Sequence, residues 1–408
     1  MRRVVITGAG TISPFGKGVE SLVAALAEGK SGVSALPEPS YRNDTETVPQ
    51  VAGLVGDIDV SGIPRKHRRT MSPMSMYSLL AAQEALDQAG LSEEVVHSPR
   101  FGAIIGSTMG SVAAFEEVFD NYLPDHRFDV VKSSVFFRMM GHTVASNLAQ
   151  TLGITGRVMA VSAACSSGAQ AIGAAYEAIA SGAQDYMLCG GADELHPLTI
   201  ATFDLMSAAS RGYNDAPEET PRPFDKDRDG VVCSEGVGLL VLESYDSAVQ
   251  RGATILAEVA GFNSASDTSS IANPAPEPLH ACMQSALESA GIDISEVSYV
   301  NAHATGTRLG DRAESHAIAS LFGDRVPVSS LKGHLGHTMA ASGAIELIAC
   351  VAMMQRNQLI PTRNLANTDE QCAGIYHLQS LLSTQVDVVV KNSFALGGII
   401  SSLVLRKS

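Results

Sequence analysis

Short runs of apolar residues alternate along the chain with longer stretches rich in alanine, glycine and serine. In the first part of the chain, the apolar runs that we predict to be strands are residues 4–6, 101–106, 185–191 and 238–242. The stretches between them include two predicted helices, at residues 75–89 and 169–180. Strands that are apolar throughout and alternate with helices are typical of an α/β fold in which helices bury both faces of the sheets.

The same alternation begins again in the second part of the chain. Further strands are predicted at residues 255–259, 297–301, 386–390 and 402–405. We therefore predict two halves of similar plan, residues 1–250 and residues 251–408, although no repeat is visible residue by residue. Two stretches rich in polar residues and proline, at 214–223 and 264–278, are predicted to be surface loops.

Composition limits the possible partners. A chain of 408 residues with 45% hydrophobic and 17% charged residues is a folded protein, long enough for two domains. Its net charge of -15 disfavours binding to nucleic acid or to an anionic membrane. One dense basic cluster departs from this balance: Arg65, Lys66, Arg68 and Arg69. The cluster is either a solvated surface element or a docking site for a small acidic partner.

Targeting and redox features indicate a cytoplasmic protein. The chain runs directly into its first predicted strand without a signal peptide, and no apolar run is long enough to span a bilayer. The six cysteines are scattered and form no CxxC pair, so we expect free thiols in a reducing compartment.

Two short motifs could suggest a cofactor or metal site. Gly8 and Gly10 form only an isolated GxG, which is too little for a nicotinamide site. His334 and His337 lack further ligands at suitable spacing, so no metal site is predicted.

Three loops of small residues each carry one side chain that could take part in catalysis: a thiol in one loop and an imidazole in each of the other two. Cys165 lies in a predicted strand-to-helix turn, where the following helix would lower the thiol pKa and nearby amides could hold an oxyanion. His303 ends a predicted strand, and His337 precedes an apolar helix. Each residue taken alone could be structural. Together, a thiol and two imidazoles favour nucleophilic catalysis.

These loops belong to an ordered set of motifs that resembles the β-ketoacyl-acyl carrier protein synthases, condensing enzymes of types I and II with the thiolase fold. Besides the three loops, the motifs are residues 5–8, 221–225, 228–230, 234–236 and 392–394. The resemblance covers essentially the whole chain. It implies two similar βαβ halves that form a layered α-β-α-β-α core.

The resemblance also implies a reaction. Cys165 would take an acyl group from acyl carrier protein as a thioester. His303 and His337 would then contact the thioester carbonyl of malonyl-carrier protein and assist loss of its carboxylate, and the resulting enolate would attack the acyl-cysteine. Lys332 matches a lysine of the catalytic set, and with Glu346 it would form a buried charge pair that orders the histidine loop.

Further residues carry implied binding roles. Thr305 and Thr307 would bind the phosphopantetheine arm of the carrier protein, and the amides of Cys165 and Leu396 would form the oxyanion hole. The acyl pocket would be shaped by Met109 and Leu396, with Phe136 and Phe137 near a dimer interface and contributing to the partner's pocket. The resemblance favours the basic cluster as the docking site for the carrier protein. It implies a homodimer, or a heterodimer with a chain-length factor, and no permanently bound cofactor.

Two segments depart from the family pattern. Residues 395–400 read Ala-Leu-Gly-Gly-Ile-Ile, with Leu396 in place of an aromatic gate residue, and residues 304–308 are also altered. These changes suggest a specialised role, such as type II polyketide or aryl polyene chain building. A non-catalytic chain-length-factor role stays open, although such partners usually lose the cysteine. A thiolase is disfavoured because residues 393–398 contain no second cysteine, and a thioester hydrolase remains conceivable.

Overall fold

The computed structural model describes residues 1–38, 41 and 47–408. The strands are β1 (Val4–Ser13), β2 (Gly16–Lys17), β3 (Ser34–Ala35), β4 (Val51–Ala52), β5 (Phe101–Gly106), β6 (Val158–Val161), β7 (Tyr186–Asp193), β8 (Gly236–Ser244), β9 (Ala257–Ser266), β10 (Tyr299–Asn301), β11 (Pro327–Ser329), β12 (Gln358–Leu359), β13 (Tyr376–His377), β14 (Leu382–Ser383), β15 (Val388–Phe394) and β16 (Ile399–Arg406). The helices are α1 (Val19–Ala27), α2 (Arg65–Arg68), α3 (Pro73–Ala89), α4 (Glu93–Val96), α5 (Val112–Tyr122), α6 (Ser134–Met139), α7 (Thr143–Leu152), α8 (Ser167–Ala180), α9 (Pro197–Leu205), α10 (Tyr245–Gln250), α11 (Pro276–Ala290), α12 (Arg308–Phe322), α13 (Lys332–Leu335) and α14 (Ser342–Arg356).

Most strands join one continuous sheet in the order β13-β11-β10-β15-β16-β9-β1-β8-β7-β5-β6, with β2 paired to β1. Each half of this sheet follows the same plan. The N-terminal half contributes β1, β5, β6, β7 and β8 in chain order, and the C-terminal half contributes β9, β10, β11, β15 and β16. In both halves the spatial order of these five strands is third, second, fourth, fifth, first: β6-β5-β7-β8-β1 and β11-β10-β15-β16-β9. The fifth strand is antiparallel to both of its neighbours in each half. The predicted repetition of one α/β plan is therefore confirmed, whereas the boundary at residue 250 stays a prediction.

Three buried apolar clusters arrange the helices in layers. The central cluster contains residues of α8 and α14. One outer cluster packs α3 and α7 against strands of the N-terminal half, and the other packs α11 and α12 against strands of the C-terminal half. The layers run helix, sheet, helix, sheet, helix, which confirms the layered core implied by the resemblance.

The two central helices begin in matching turns. A 3-10 turn over Ala164–Ser166 precedes α8, and another over Met339–Ala341 precedes α14. Ala164 and Met339 both have a positive φ, 45° and 49°, which is uncommon for residues with a side chain. The backbones of the two segments are in close contact. A Cβ atom on Gly168, just after the first turn, would be only 2.4 Å from the carbonyl oxygen of Ala340 in the second turn. Small residues at both helix starts thus bring the two halves together at one point.

The predicted helices and strands are present, with shifted ends. Two strands differ most: the first, predicted at residues 4–6, continues as β1 to Ser13, and the strand predicted at 255–259 continues as β9 to Ser266. Gly8 and Gly10 lie inside β1, where a Cβ atom on either would come within 2.0 Å of a carbonyl oxygen of α3. They permit close helix packing, which agrees with rejecting a dinucleotide loop. No helix among the described residues is long and apolar enough to cross a membrane.

Candidate active site

Cys165 lies in the turn that opens α8, and its side chain is buried. The backbone N–H groups of Cys165 and Leu396 both lower the pKa of the thiol, which places them beside the sulfur. Leu396 lies in the loop between β15 and β16 of the other half of the chain. The structure therefore brings together the two amides predicted to form an oxyanion hole, at the reacting sulfur.

The thiol itself differs from the sequence-based expectation. Burial raises the pKa of Cys165 to about 12, against the opposing effects of the Lys332 charge and the two amides. The carboxylate of Asp193 raises the thiol pKa further. The lowering effect predicted for the helix start is therefore outweighed, because removal of the thiolate from water raises the pKa more than the nearby amides and the charge of Lys332 lower it. In the free protein Cys165 is a protonated thiol at neutral pH.

His303 and His337 face each other, with ring centroids 5.3 Å apart and ring planes 85° apart. Nδ1 of His337 lies 2.9 Å from the hydroxyl oxygen of Ser342. A hydroxyl that donates to Nδ1 leaves the ring proton on Nε2, and this Nε2 is buried without a partner among the described residues. Nδ1 of His303 is likewise buried without a described partner.

Both imidazoles are neutral at neutral pH. The pKa of each is well below its ordinary value of 6.5, chiefly because burial disfavours the charged ring, and next because of the ammonium of Lys332. A neutral ring with a free N–H can donate to an oxygen on which negative charge develops. The two histidines are therefore suited to stabilise an enolate rather than to hold a fixed positive charge.

Two cavities meet at Cys165. The larger has a volume of about 350 Å³ and is lined by His303, His337, Thr305 and Thr307, among others. The smaller has a volume of about 160 Å³ and is lined by Met109. Cys165, Phe203 and Leu396 line both. The structure thus places the predicted pantetheine residues on one side of the sulfur and a predicted acyl-pocket residue on the other.

The predicted charge pair is present, and it has a third member. Nζ of Lys332 lies 2.6 Å from Oε1 of Glu346, and both side chains are buried. Nζ of Lys391, on β15, lies 2.8 Å from Oε2 of the same carboxylate. The sequence analysis missed Lys391, although a lysine directly after the apolar run 388–390 was an available signal.

A second missed residue is Glu314 on α12, whose carboxylate accepts the backbone N–H groups of His303 at 2.9 Å and Ala304 at 2.7 Å. Burial raises the pKa of Glu314 to about 7, against the effect of these amides. Glu314 also lines the larger cavity. It therefore fixes the backbone of the loop that carries the first histidine.

The remaining predicted site residues lie outside the cavities. Phe136 and Phe137 are on α6, 41% and 52% exposed, and line neither cavity of this chain. The basic cluster forms α2 and the residue after it, and its four side chains are exposed: Arg65, Lys66, Arg68 and Arg69. Among the described residues no group of three or more His, Cys, Asp or Glu is arranged to hold a metal ion. The roles of these residues stay predictions.

Two α/β halves of one plan meet at a buried cysteine, an amide pair and two neutral histidines, and these groups are suited to acyl transfer. The model for the β-ketoacyl synthase N-terminal domain matches residues 1–248, and the model for the C-terminal domain matches residues 256–366. The chain belongs to the β-ketoacyl synthase family, whose members are acyltransferases that form carbon–carbon bonds.

Individual relatives agree over the full length. The chain is 36% identical to 3-oxoacyl-[acyl-carrier-protein] synthase 1 of Escherichia coli over 410 residues, which covers 100% of this chain and 99% of the relative. A β-ketoacyl synthase from Burkholderia phymatum has a similar structure, with a TM-score of 0.96, 41% identity and complete coverage of both chains.

Two further solved structures extend the comparison. The ishigamide ketosynthase/chain length factor matches with a TM-score of 0.92 and 30% identity over 100% of this chain and 99% of that one. A type II polyketide ketosynthase in complex with its acyl carrier protein matches with a TM-score of 0.91 and 31% identity over the whole of both chains.

Proposed function

We propose that this enzyme elongates an acyl chain by two carbons, using acyl groups and malonyl units carried on acyl carrier protein. The observation that carries the proposal is the position of Cys165, at the junction of a cavity that holds both histidines and a second cavity on the other side. A nucleophile in this place can hold an acyl chain in one cavity while a second thioester enters the other.

In the first half-reaction the sulfur of Cys165 attacks the carbonyl carbon of the acyl thioester. The oxyanion that forms is stabilised by the amides of Cys165 and Leu396. The new thioester forms as the bond to the pantetheine sulfur breaks, and the proton of the cysteine leaves with the pantetheine thiol. The raised pKa of the thiol favours transfer of this proton during the attack over transfer before it.

In the second half-reaction malonyl thioester occupies the larger cavity. Its carbon–carbon bond to the carboxylate breaks, carbon dioxide leaves, and the electron pair forms an enolate whose oxygen is held by the N–H groups of His303 and His337. The enolate carbon attacks the acyl carbon on Cys165, and the cysteine sulfur leaves as a thiolate that takes a proton from solvent to restore the thiol. Donors placed for the enolate oxygen stabilise the transition state more than the ground state. The product is a β-ketoacyl thioester.

Partner binding has its own support. The E. coli relative is named for acyl carrier protein, and one solved relative is in complex with one. On this chain, exposed α2 and Arg69 directly after it offer four cationic side chains on an otherwise acidic protein. A second observation concerns dimer formation. Strand β6 lies at one edge of the described sheet, and its residues Val158 and Met159 are 40% and 42% exposed. An exposed apolar edge strand favours pairing with a second ketosynthase-like chain.

We also propose a specialised pathway, such as polyketide or aryl polyene assembly. Leu396 lines both cavities and Ile400 lines the larger one, so two of the departures from the family pattern lie in the cavity walls next to Cys165. Leucine at the junction removes a ring from the passage between the cavities. A chain-length-factor role is less well supported, since Cys165, His303 and His337 are all present and converge on one cavity.

Intact-protein mass spectrometry tests the proposal. Wild type and Cys165→Ala are incubated with a panel of saturated, polyunsaturated and aryl acyl-carrier proteins, and then with malonyl-carrier protein. We expect an acyl adduct on wild type alone, followed by a β-ketoacyl product two carbons longer. A preference for saturated medium chains would remove the specialised pathway. No adduct with any acyl group would leave the chain-length-factor role.

A further inference from the structure

Strand β15 carries a buried lysine that the proposed reaction does not use. Lys391 is fully buried, and its ammonium shares the carboxylate of Glu346 with Lys332. A buried ammonium is costly unless it is paired and hydrogen-bonded. Lys332 alone would neutralise Glu346, so the second lysine leaves this buried cluster with a net positive charge.

Lys391 also holds the strand on which it lies. Its Nζ donates to the backbone carbonyl of Asn392 and, at 3.0 Å, to the hydroxyl oxygen of Ser393. The carbonyl of Ser393 in turn accepts the hydroxyl of Ser166, 3.3 Å away and adjacent to Cys165. The strand then leads to Leu396, whose amide acts on the cysteine sulfur. One ammonium thus joins α14 to the segment that supplies the oxyanion amide.

The neighbouring residue reaches the first histidine. The side-chain amide of Asn392 donates to Glu314 at 3.1 Å, and the same carboxylate oxygen accepts the amide of His303. The ring of Phe394, further along β15, lies 5.6 Å from the ring of His303. Strand β15 is therefore in contact with the histidine side of the site as well as with the cysteine side.

We propose that Lys391 is a positioning residue of the condensation reaction. It fixes Glu346, and with it Lys332, against strand β15, so that the histidine pair and the Leu396 amide keep one arrangement around the reacting thioester. The inference rests on the proposed function, because it assigns Lys391 to the step in which both groups act on substrate.

The charge of Lys391 gives this role a measurable signature. It lowers the pKa of both histidines, together with the larger effects of burial and Lys332. Removal of this charge should raise the pKa of both histidines. As the pH is lowered, the rings would then become protonated at a higher pH than in wild type, and the neutral form needed for decarboxylation would be lost earlier. The titratable and charged groups around Lys391 and the two rings are Lys332, Glu346, Cys350, Glu314, Tyr299 and Cys165.

The test compares Lys391→Met with Lys407→Met, an exposed lysine outside the site. Decarboxylation of malonyl-carrier protein and condensation are measured from pH 5 to pH 9, with Cys165 acylation followed by mass. For Lys391→Met we expect kcat for condensation to fall about 10- to 100-fold with KM little changed. We expect the acid side of the rate profile to move to higher pH. Lys407→Met should match wild type.

Each other outcome has a defined meaning. A pH profile and kcat within twofold of wild type would overturn the role of Lys391. If Lys391→Met does not fold, Lys391→Gln replaces it, because glutamine keeps a donor for Asn392 and Ser393 without the charge, and the same pH shift is expected. Failure of both variants to fold would show a role in folding alone and would also overturn the inference. Absence of condensation by wild type would instead refute the proposed function.

Discussion

Gly168 lies where helix α8, which follows Cys165, packs against the loop that follows His337. It lies three residues after Cys165, and a Cβ atom placed on it would be 2.4 Å from the carbonyl oxygen of Ala340, three residues after His337. Ordinary van der Waals contact begins at 3.4 Å, so Gly168→Ala must open this contact by about 1 Å. The obstacle is backbone, which cannot rotate away as a side chain would. We therefore expect the substitution to separate Cys165 from His337.

The size of the effect follows from that displacement. Overpacking of this kind costs about 1–3 kcal/mol of folding stability. A displacement of about 1 Å between reacting groups can cost on the order of 100-fold in rate. We expect condensation by Gly168→Ala to fall on that scale while acylation of Cys165, which does not need His337, falls less. Thermal unfolding, condensation turnover and acyl-adduct mass measure the three effects.

Gly56→Ala is the matched control, because among the described residues, apart from its two chain neighbours, no atom lies within 4 Å of a Cβ atom built at Gly56. It should unfold at the wild-type temperature and condense at the wild-type rate. If Gly168→Ala condensed within twofold of wild type, the backbone contact with Ala340 would not set the spacing of cysteine and histidine. Equal losses in acylation and condensation would point to general disorder of the site instead.

Two further predictions concern charge and pH. Lys332→Met should slow alkylation of Cys165 by iodoacetamide at pH 8, because the ammonium of Lys332 lowers the thiol pKa. Each unit by which the thiol pKa rises reduces the thiolate fraction about tenfold. An unchanged alkylation rate would contradict this prediction. Burial raises the pKa of Glu314 to about 7 from the ordinary 4.5, so its contribution to stability is fully present below pH 4.5 and is lost as the pH rises through 7. Glu314→Gln lacks this loss, and calorimetry between pH 5 and pH 8 should show wild type losing on the order of 2 kcal/mol more than the variant; parallel curves would refute the reasoning.

The alternation of apolar and small-residue segments was sufficient to predict the α/β class and the repeated plan. Apolar strands must be covered on both faces, and helices of small residues can do so at close range. Strand ends were predicted less well. β1 continues through Gly8 and Gly10 because α3 packs onto these glycines, and this packing partner is not visible within the local sequence.

The candidate reacting groups were also visible in the sequence. Cys165, His303 and His337 each stand in a loop of small residues, and the structure brings them to one cavity. A thiol and imidazoles are chemically distinctive wherever they occur. The motifs that surround them placed the chain in its family before any distance was known.

Tertiary structure alone decided the electrostatics of the site. A local helix start suggested a lowered pKa for Cys165, but exclusion of water by both halves of the fold raises it to about 12. The third member of the buried charge cluster, Lys391, lies 45 positions from Glu346 and meets it only because α14 packs against β15. Residue types specify which chemistry is available, whereas burial and long-range contacts set the charge state and the spacing at which that chemistry operates.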